Sequence, residues 1–432
     1  MFLFLRVRKY SAGSWNRGYV APSEYGDMTN SAPLCGSQKI FLFVAGALMG
    51  AFSFPLSMGF RAGDLILGVM GIALLVLRGR PVAFPPWYSI YIPVVLLLCA
   101  WLVFSTLVSS QAFEGLYQPI RYLLVLLVPL IIFFNCSQEC LLVLVKGFVF
   151  GAVLLFGLGS ILYVLRFEWL VMLDWVSASR LSFWFNPNSL GTISVFAFLF
   201  SIFLFLMGEN RSRWLWLLVV VIIPVPLLFS MSFGSIMLAA LGVFIFILGM
   251  VIAREGRSLL KLGTVAMIAF PAVLFGVMQL DGVGLPDRFS DRILSKLNSD
   301  IQGEEGFGSA SSRLEYNRLA FQSIDERPFL GFGANSREDL GFYPHSTPVL
   351  MLLEGGVVAL GLWVLIAVIL LSVIIHGLRS KRPVAIKIIA SVMFFSWLFL
   401  NIRVPHMYQS YFYVPMFLTM ALLVSRRAQM RR

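Results

Sequence analysis

Residues 347–376 read TPVLMLLEGGVVALGLWVLIAVILLSVIIH, and this stretch decides the class of fold. It contains one acidic residue, Glu354, and no Lys or Arg. A run of about 20 apolar residues is long enough to cross a bilayer as a helix. Similar runs recur along most of the chain, which is 59% hydrophobic and 12% charged, with a mean hydropathy of +0.88. Soluble domains are about a quarter charged, so we expect an all-α polytopic membrane protein.

The apolar runs predict about twelve transmembrane helices. The boundary between the seventh and eighth is the narrowest, because only Met231 and Ser232 separate them. The predicted spans are 39–57, 62–78, 88–109, 119–135, 139–164, 188–207, 213–230, 233–253, 259–280, 347–376, 384–402 and 410–425.

The distribution of basic residues predicts the orientation of these helices. Most of the 33 Lys and Arg fall in segments on one side, and such segments are normally cytoplasmic. The net charge of +12 is therefore assigned to membrane topology, and no nucleic-acid partner is expected. The predicted divisions are a cytoplasmic tail 1–38, spans one to nine 39–280, a large outer loop 281–346, spans ten to twelve 347–425, and a cytoplasmic tail 426–432.

The three histidines differ in their predicted positions. His376 lies beside cytoplasmic basic residues, and His406 lies in a short outer loop. His345 opens the tenth span, where the large outer loop meets the bilayer. A neutral imidazole there can accept a proton from a hydroxyl group near neutral pH. The alternative is that His345 only caps the following helix.

Several arginines fall on the outer side, where topology disfavours basic residues. Guanidinium groups bind phosphate oxygens in a bidentate manner and keep their charge, so some of these arginines are candidates for holding a pyrophosphate. The alternative is that an outer arginine is simply solvated in a loop or snorkels to the membrane surface, and we expect this to hold for about half of the outer arginines. The outer arginines are Arg180, Arg288, Arg313 and Arg318 in the two long segments, and Arg61, Arg121 and Arg403 at span ends.

Two further polar residues have candidate supporting roles. Asn188 is predicted to cap the sixth span, because Asn is favoured at helix N-termini. Glu354 is a carboxylate within a span, which is a functional hypothesis by default. It can pair with an arginine or accept from a loop amide. The sequence has no Walker A loop and no acidic metal cluster at the outer face, so no metal or other cofactor is expected.

The order of these motifs resembles that of the O-antigen ligase and polymerase superfamily, and O-antigen ligases most of all. The resemblance extends over about residues 180–360. The matching pieces are Arg180, Phe185-Asn-Pro-Asn188, Arg313, Arg327-Pro-Phe-Leu-Gly-Phe-Gly333, His345 and Leu353-Glu-Gly355. Two positions depart from the pattern: Ser346 stands where Asn is common, and Ser232-Phe-Gly234 stands where Ser-Arg-Gly is common.

The resemblance implies a fold like that of C-type glycosyltransferases and an enzyme in the bacterial inner membrane, with its loop 281–346 in the periplasm. It implies inverting, metal-independent transfer of a glycan from undecaprenyl pyrophosphate to lipid A-core oligosaccharide. His345 would activate the acceptor. Arg180, Arg313, Arg121 and Arg288 would bind the pyrophosphate, with Asn188, Arg318 and Glu354 in support.

Three other functions stay open. An O-antigen or exopolysaccharide polymerase would use a second lipid-linked glycan as acceptor, and a protein O-oligosaccharyltransferase would use a protein hydroxyl. A lipid-linked glycan flippase is a different class, but transporters carry their polar sites near the middle of the membrane. The charged candidate site residues of this chain cluster in outer loops rather than within the spans, which favours an enzyme.

Overall fold

The computed structural model describes residues 36–51, 65, 68–69, 86–109, 115–164, 176–177, 180–181, 187–208, 210–230, 232–256, 258–260, 263, 267, 310–336, 340–342, 344–403 and 410–425. The helices are α1 Gly36–Ala51, α2 Tyr88–Val108, α3 Tyr117–Phe134, α4 Gln138–Ala152, a π-helical turn Val153–Gly157, α5 Leu158–Val164, α6 Pro187–Met207, α7 Asn210–Ile222, α8 Pro224–Phe229, α9 Phe233–Ile252, α10 Ala310–Ile324, α11 Thr347–Leu378, α12 Val384–Arg403 and α13 Ser410–Val424. Two short strands, β1 Val176–Ser177 and β2 Arg180–Leu181, pair antiparallel.

The predicted class of fold is confirmed by the helices. Within the described ranges, eight helical segments are long and apolar enough to cross a membrane, and α1 and α13 contain shorter apolar helices. The predicted spans 62–78 and 259–280 lie almost wholly outside the described residues, so the count of twelve stays a prediction. The narrow boundary between spans seven and eight is confirmed, because α8 ends at Phe229 and α9 begins at Phe233.

Helix α6 lies at the centre of the bundle. In its most apolar window 83% of the residues are buried inside the protein, against 33% for α9. Helix α1 packs closely against α4 through small residues. Adding a Cβ to Gly46 or Gly50 of α1, or to Gly147 or Gly151 of α4, would overlap a backbone carbonyl across this contact. Such small residues let membrane helices approach closely, where dispersion forces stabilise them.

Helix α6 begins at Pro187, so the predicted N-cap role of Asn188 is wrong. Asn188 lies in the first turn, and its carbonyl accepts a hydrogen bond from Thr192. The reason is the proline: its fixed φ suits the first helical position, where its missing N–H costs nothing.

Helix α11 is broken near its N-terminal end. Gly355 has φ −137° and ψ 15°, and Gly356 has φ 66° and ψ −165°, so neither is helical. Beyond the break, α11 runs to Leu378 and α12 returns antiparallel to it, because only residues 379–383 join them. The C-terminal end of α12 therefore lies at the same end of the bundle as the start of α11.

Candidate functional site

The segment Arg327–Ser336, which we call the docking loop, completes the broken helix α11. The Phe332 N–H donates to Leu353 O at 2.8 Å, and the Gly333 N–H donates to Glu354 O at 3.0 Å. The Val357 N–H, released by the break, donates to Pro328 O at 2.8 Å. Backbone groups at membrane depth must be satisfied within the protein. The docking loop supplies the partners that the break removes.

Two glycines of the docking loop allow this close approach. Gly331 and Gly333 have φ of 68° and 90°, in the left-handed region that glycine adopts without steric cost. A Cβ at Gly331 would lie 2.7 Å from the backbone of Glu354 and Gly355. The Leu-Gly-Phe-Gly pattern that contributed to the resemblance is therefore required for backbone contact with α11.

Helix α2 holds the other side of the break. The Trp101 Nε1–H donates to Gly355 O at 2.7 Å, and Ser105 Oγ lies 2.8 Å from Glu354 O and 2.6 Å from Leu330 O. Thr106 Oγ1 accepts from the Ala334 N–H at 2.9 Å. The break, the docking loop and the C-terminal turns of α2 thus form one hydrogen-bonded unit.

The side chain of Glu354 ties this unit to α3. It is 1% exposed. Its Oε2 accepts from the Tyr122 hydroxyl at 2.9 Å, and its Oε1 accepts from the Asn335 N–H at 3.2 Å. The sequence suggested that Glu354 pairs with an arginine or accepts from a loop amide. The bond from the Asn335 N–H confirms the loop amide.

Arg121 precedes Tyr122 on α3 and is only 4% exposed. A buried guanidinium is costly unless anionic or hydrogen-bonding groups surround it. The neighbouring Tyr122 is hydrogen-bonded to Glu354. Arg121 therefore lies on the turn of α3 that contacts the broken part of α11.

His345 is held by α10. Its backbone N–H donates to Asn317 Oδ1 at 3.2 Å, and its ring lies 6.0 Å from the ring of Tyr316, at 35° between the planes. Ser346, with extended φ and ψ, is the N-cap of α11, so the alternative that His345 is that cap is wrong. His345 is partly buried where the outer segment enters α11.

Helix α10 also carries two of the candidate arginines. Arg313 lies in the first turn of α10, one turn before Tyr316 and Asn317. Arg318 is exposed and binds both carboxylate oxygens of Glu315, at 2.8 and 2.7 Å. Its hydrogen bond holds the pKa of Glu315 below the usual value.

The remaining candidates are dispersed. Arg180 lies in β2, opposite Ser177, and β2 packs against α6 and α8. Arg288 lies outside the described residues. Among the described residues, no group of three or more His, Cys, Asp or Glu could hold a metal ion. The pyrophosphate-binding roles of the arginines stay predictions.

Sequence reasoning missed Asn317, Tyr316, Tyr122 and Asn335, which position the predicted residues. Asn317 and Tyr316 had a signal, since each lies one turn after Arg313. Asn335 had none, because a non-glycine residue with φ of 69° shows only in the folded chain.

The comparison with curated proteins finds no match. The family model described as O-Antigen ligase matches residues 218–364. This interval runs from α7 to the first half of α11, and it contains α10, the docking loop, His345 and Glu354. Members of this family are membrane enzymes that act on glycans. The predicted resemblance to the O-antigen ligase superfamily is confirmed by this match over residues 218–364.

Proposed function

We propose that the protein is an O-antigen ligase of the bacterial inner membrane. It transfers a glycan from undecaprenyl pyrophosphate to lipid A-core oligosaccharide, with its site facing the periplasm. One observation carries the proposal: inside the O-antigen ligase domain, α10, which bears Arg313, holds His345 through Asn317 and Tyr316 at the start of α11. A partly buried imidazole at this position suits a reaction between two membrane-bound substrates.

The chemistry follows from these groups. The imidazole of His345 takes the proton of the acceptor hydroxyl as its oxygen attacks the anomeric carbon. A new C–O bond forms on one face of the sugar while the anomeric bond to the pyrophosphate breaks on the other, so the configuration inverts. Undecaprenyl pyrophosphate leaves with the bonding electron pair, and the imidazolium later returns its proton to water.

The arginines would stabilise the leaving group. Charge builds up on the pyrophosphate as the anomeric bond breaks, and fixed guanidinium groups stabilise that charge without a metal ion. We assign this role to Arg313 and Arg180, with Arg121 and Arg288 beside them. The buried carboxylate of Glu354 would hold α3, the docking loop and α11 in one arrangement, with Asn188 and Arg318 in outer supporting positions.

Transfer by the purified protein tests this function. The protein in detergent is mixed with undecaprenyl-pyrophosphate-linked glycan and lipid A-core oligosaccharide, with a chelator present and no membrane gradient. We expect glycan on lipid A-core with inverted anomeric configuration. A product extended on a second lipid-linked glycan would indicate a polymerase, and a glycosylated protein would indicate a protein O-oligosaccharyltransferase. No transfer in detergent, with gradient-dependent movement of the donor in vesicles, would indicate a flippase.

A further inference from the structure

Asn335 of the docking loop has a backbone conformation that its own side chain does not explain. Its φ of 69° lies in the left-handed region, which residues other than glycine adopt at a cost. Asparagine enters this region when its short side chain forms a local hydrogen bond. Asn335 is only 1% exposed, yet its Oδ1 accepts no hydrogen bond from any residue in the described ranges. The conformation is therefore held by contacts other than those of the side chain.

Three consecutive backbone N–H groups hold Asn335 in place. Gly333 donates to Glu354 O at 3.0 Å, Ala334 donates to Thr106 Oγ1 at 2.9 Å, and Asn335 donates to Glu354 Oε1 at 3.2 Å. These bonds fix the path of the chain and leave the side-chain amide oxygen unused. A residue held in this way has its geometry set before a ligand arrives, which is what a binding site requires.

Gln118 of α3 brings a second buried amide oxygen to the docking loop. Its N–H donates to Gly115 O at 3.2 Å, and a Cβ on Gly115 would overlap the carbonyl of Ala334. One turn later, Tyr122 bonds Glu354, and residues four apart share a helix face. Gln118 is 1% exposed, and within the described part of the chain its Oε1 has no donor. Its side chain thus lies on the face of α3 that meets the docking loop.

Ser336 completes a group of three, which we call the buried polar cluster: Gln118, Asn335 and Ser336. The Ser336 hydroxyl is also buried and has no partner among the residues that the structure describes. Two amide oxygens require hydrogen-bond donors, because a buried acceptor without one costs free energy. An ionised pyrophosphate offers only acceptors and a polyprenyl chain offers neither group, whereas a sugar ring carries several hydroxyl donors.

We infer that the buried polar cluster is a sugar-binding subsite, whose amide oxygens accept hydrogen bonds from ring hydroxyls of a sugar close to the reacting one. Nine residues separate His345 from Glu354, which is about 14 Å at the helical rise, so the cluster is within the reach of a short oligosaccharide. Gln118 Nε2 donates to the partly exposed Tyr117 hydroxyl at 3.1 Å. Rotation of the Tyr117 side chain opens the subsite to the outer end of the bundle.

The inference rests on the proposed function, because it takes the substrates to be glycans. The sugar belongs either to the lipid-linked glycan or to the acceptor oligosaccharide, and ring hydroxyls are common to both. Asn335 and Gln118 make no bond to the reacting atoms. They are specificity-determining residues, which select a sugar by the positions of its hydroxyls.

Two substitutions remove the acceptor oxygens while keeping the fold. Asn335→Gly deletes the amide, and glycine adopts a φ of 69° without steric cost. Gln118→Met keeps a long unbranched side chain but replaces the amide by an apolar thioether. Each removes a buried oxygen that is satisfied only when sugar is bound. The melting temperature of either variant without ligand should therefore equal or exceed that of the wild type.

Binding by the purified full-length protein in detergent tests the subsite. Three ligands are titrated separately: undecaprenyl-pyrophosphate-linked glycan, undecaprenyl pyrophosphate without glycan, and lipid A-core oligosaccharide. Each variant should bind one of the two sugar-bearing ligands roughly three- to ten-fold more weakly, the usual effect of one hydrogen bond. Affinity for undecaprenyl pyrophosphate should not change. A loss confined to the lipid-linked glycan assigns the sugar to the donor, and a loss confined to lipid A-core assigns it to the acceptor.

Kinetics and a matched control separate recognition from folding. In transfer assays, the KM of the affected substrate should rise while kcat stays near the wild-type value, because the subsite does not contact the reacting atoms. Asn135→Ala is the control: it removes an asparagine at the opposite end of α3, whose Nδ2 donates to Ile131 O at 2.8 Å. This variant should bind all three ligands as the wild type does.

Three results would overturn the inference. They are wild-type affinity of both variants for both sugar-bearing ligands, an equal loss of affinity for undecaprenyl pyrophosphate, and a lower melting temperature of Gln118→Met without ligand. The last would show that the amide stabilises the protein itself, for example through bound water. Glycan transfer by the wild-type protein would still support the proposed function in each case. If the wild-type protein neither binds nor transfers glycan, the proposed function fails, and this inference fails with it.

Discussion

At the residue scale, the reactive group of the proposed site is separated from the groups that hold it. His345 is fixed through its backbone N–H by Asn317 and through ring contact by Tyr316. The backbone hydrogen bond does not depend on the imidazole, so the side chain can change while the chain path stays. Substitutions at His345 can therefore report on chemistry rather than on folding.

Replacing His345 by alanine should reduce glycan transfer by a factor of about 10²–10⁴, the usual contribution of a positioned general base. The melting temperature should change little, since the bond to Asn317 remains. Initial rates and thermal melts of purified His345→Ala check this. His376→Ala is the control, because His376 is exposed near the opposite end of α11. Near wild-type turnover in His345→Ala would remove it from the mechanism.

Arg313 tests the recognition of phosphate on α10. Arg313→Ala should weaken donor binding, and Arg313→Lys should restore it only in part, because lysine keeps the charge but lacks the planar bidentate donor. A loss of roughly ten-fold or more in donor affinity is expected for the alanine variant. Titration of both variants, with Arg379→Ala as control, measures the difference. Wild-type donor affinity in Arg313→Lys would show that the positive charge alone binds the donor, without the bidentate geometry of arginine.

At the element scale, the break in α11 is the feature on which the site depends. A continuous helix would satisfy its own backbone, whereas backbone groups of this one bond to the docking loop and α2, and the Glu354 side chain bonds to α3. The loop and the helix ends are thus fixed together, although they are far apart along the chain. The hydrogen bond from the Tyr122 hydroxyl to the Glu354 side chain connects this unit to α3.

Tyr122→Phe should destabilise the protein by about 1–3 kcal/mol, because it leaves a buried carboxylate oxygen with one hydrogen bond fewer. Glu354→Gln keeps the shape but removes the charge, and it should restore stability only in part when combined with Tyr122→Phe. Thermal unfolding of the two single variants and the double variant measures this coupling. Additive effects would show that the two side chains do not act together.

Gly356→Ala should disrupt the break itself. The φ of 66° and ψ of −165° at Gly356 belong to a region that only glycine adopts readily, and a Cβ would overlap the carbonyl of Phe329. We expect the free energy of unfolding to fall by about 1–3 kcal/mol, and cleavage by protease near Pro328 to increase. Gly361→Ala on the same helix is the matched control. An unchanged melting temperature for Gly356→Ala would contradict the described backbone.

At the scale of the whole molecule, the orientation of the bundle in the membrane decides which of its two ends a substrate can reach. The docking loop, His345 and Arg403 belong to one end, and His376 and the α11–α12 connection belong to the other. The distribution of basic residues predicts that the first end faces outward. A glycan carried by a lipid on the outer leaflet would reach only that end.

Labelling of single cysteines tests this orientation. Gln322 on α10 and Lys381 between α11 and α12 are both exposed, so a cysteine at either position is accessible to reagent. In intact spheroplasts of a background without the four native cysteines, Gln322→Cys should react with an impermeant maleimide. Lys381→Cys should react only after permeabilisation. The reverse pattern would invert the topology and remove the periplasmic site.

Some expectations needed no tertiary structure. A membrane-spanning helix is recognised from the hydropathy of about 20 consecutive residues, so the amino-acid sequence alone predicts where the apolar helices lie. The Arg-Pro-Phe-Leu-Gly-Phe-Gly segment and Leu353-Glu-Gly were visible as separate motifs, and the family domain bears out the resemblance they suggested. The predicted cap at Asn188 failed because Pro187 already suits the first helical position.

The sequence by itself determined a helical membrane protein, predicted which of its polar segments face outward, and singled out His345 as the residue to test. Only the tertiary structure decided what these residues contact. Tyr122 and Glu354 are 232 residues apart, and Arg403 meets Gly234 from a different helix. Hydrogen bonds and close contacts depend on which helices pack together, and that choice is made by the whole bundle rather than by any local window of sequence.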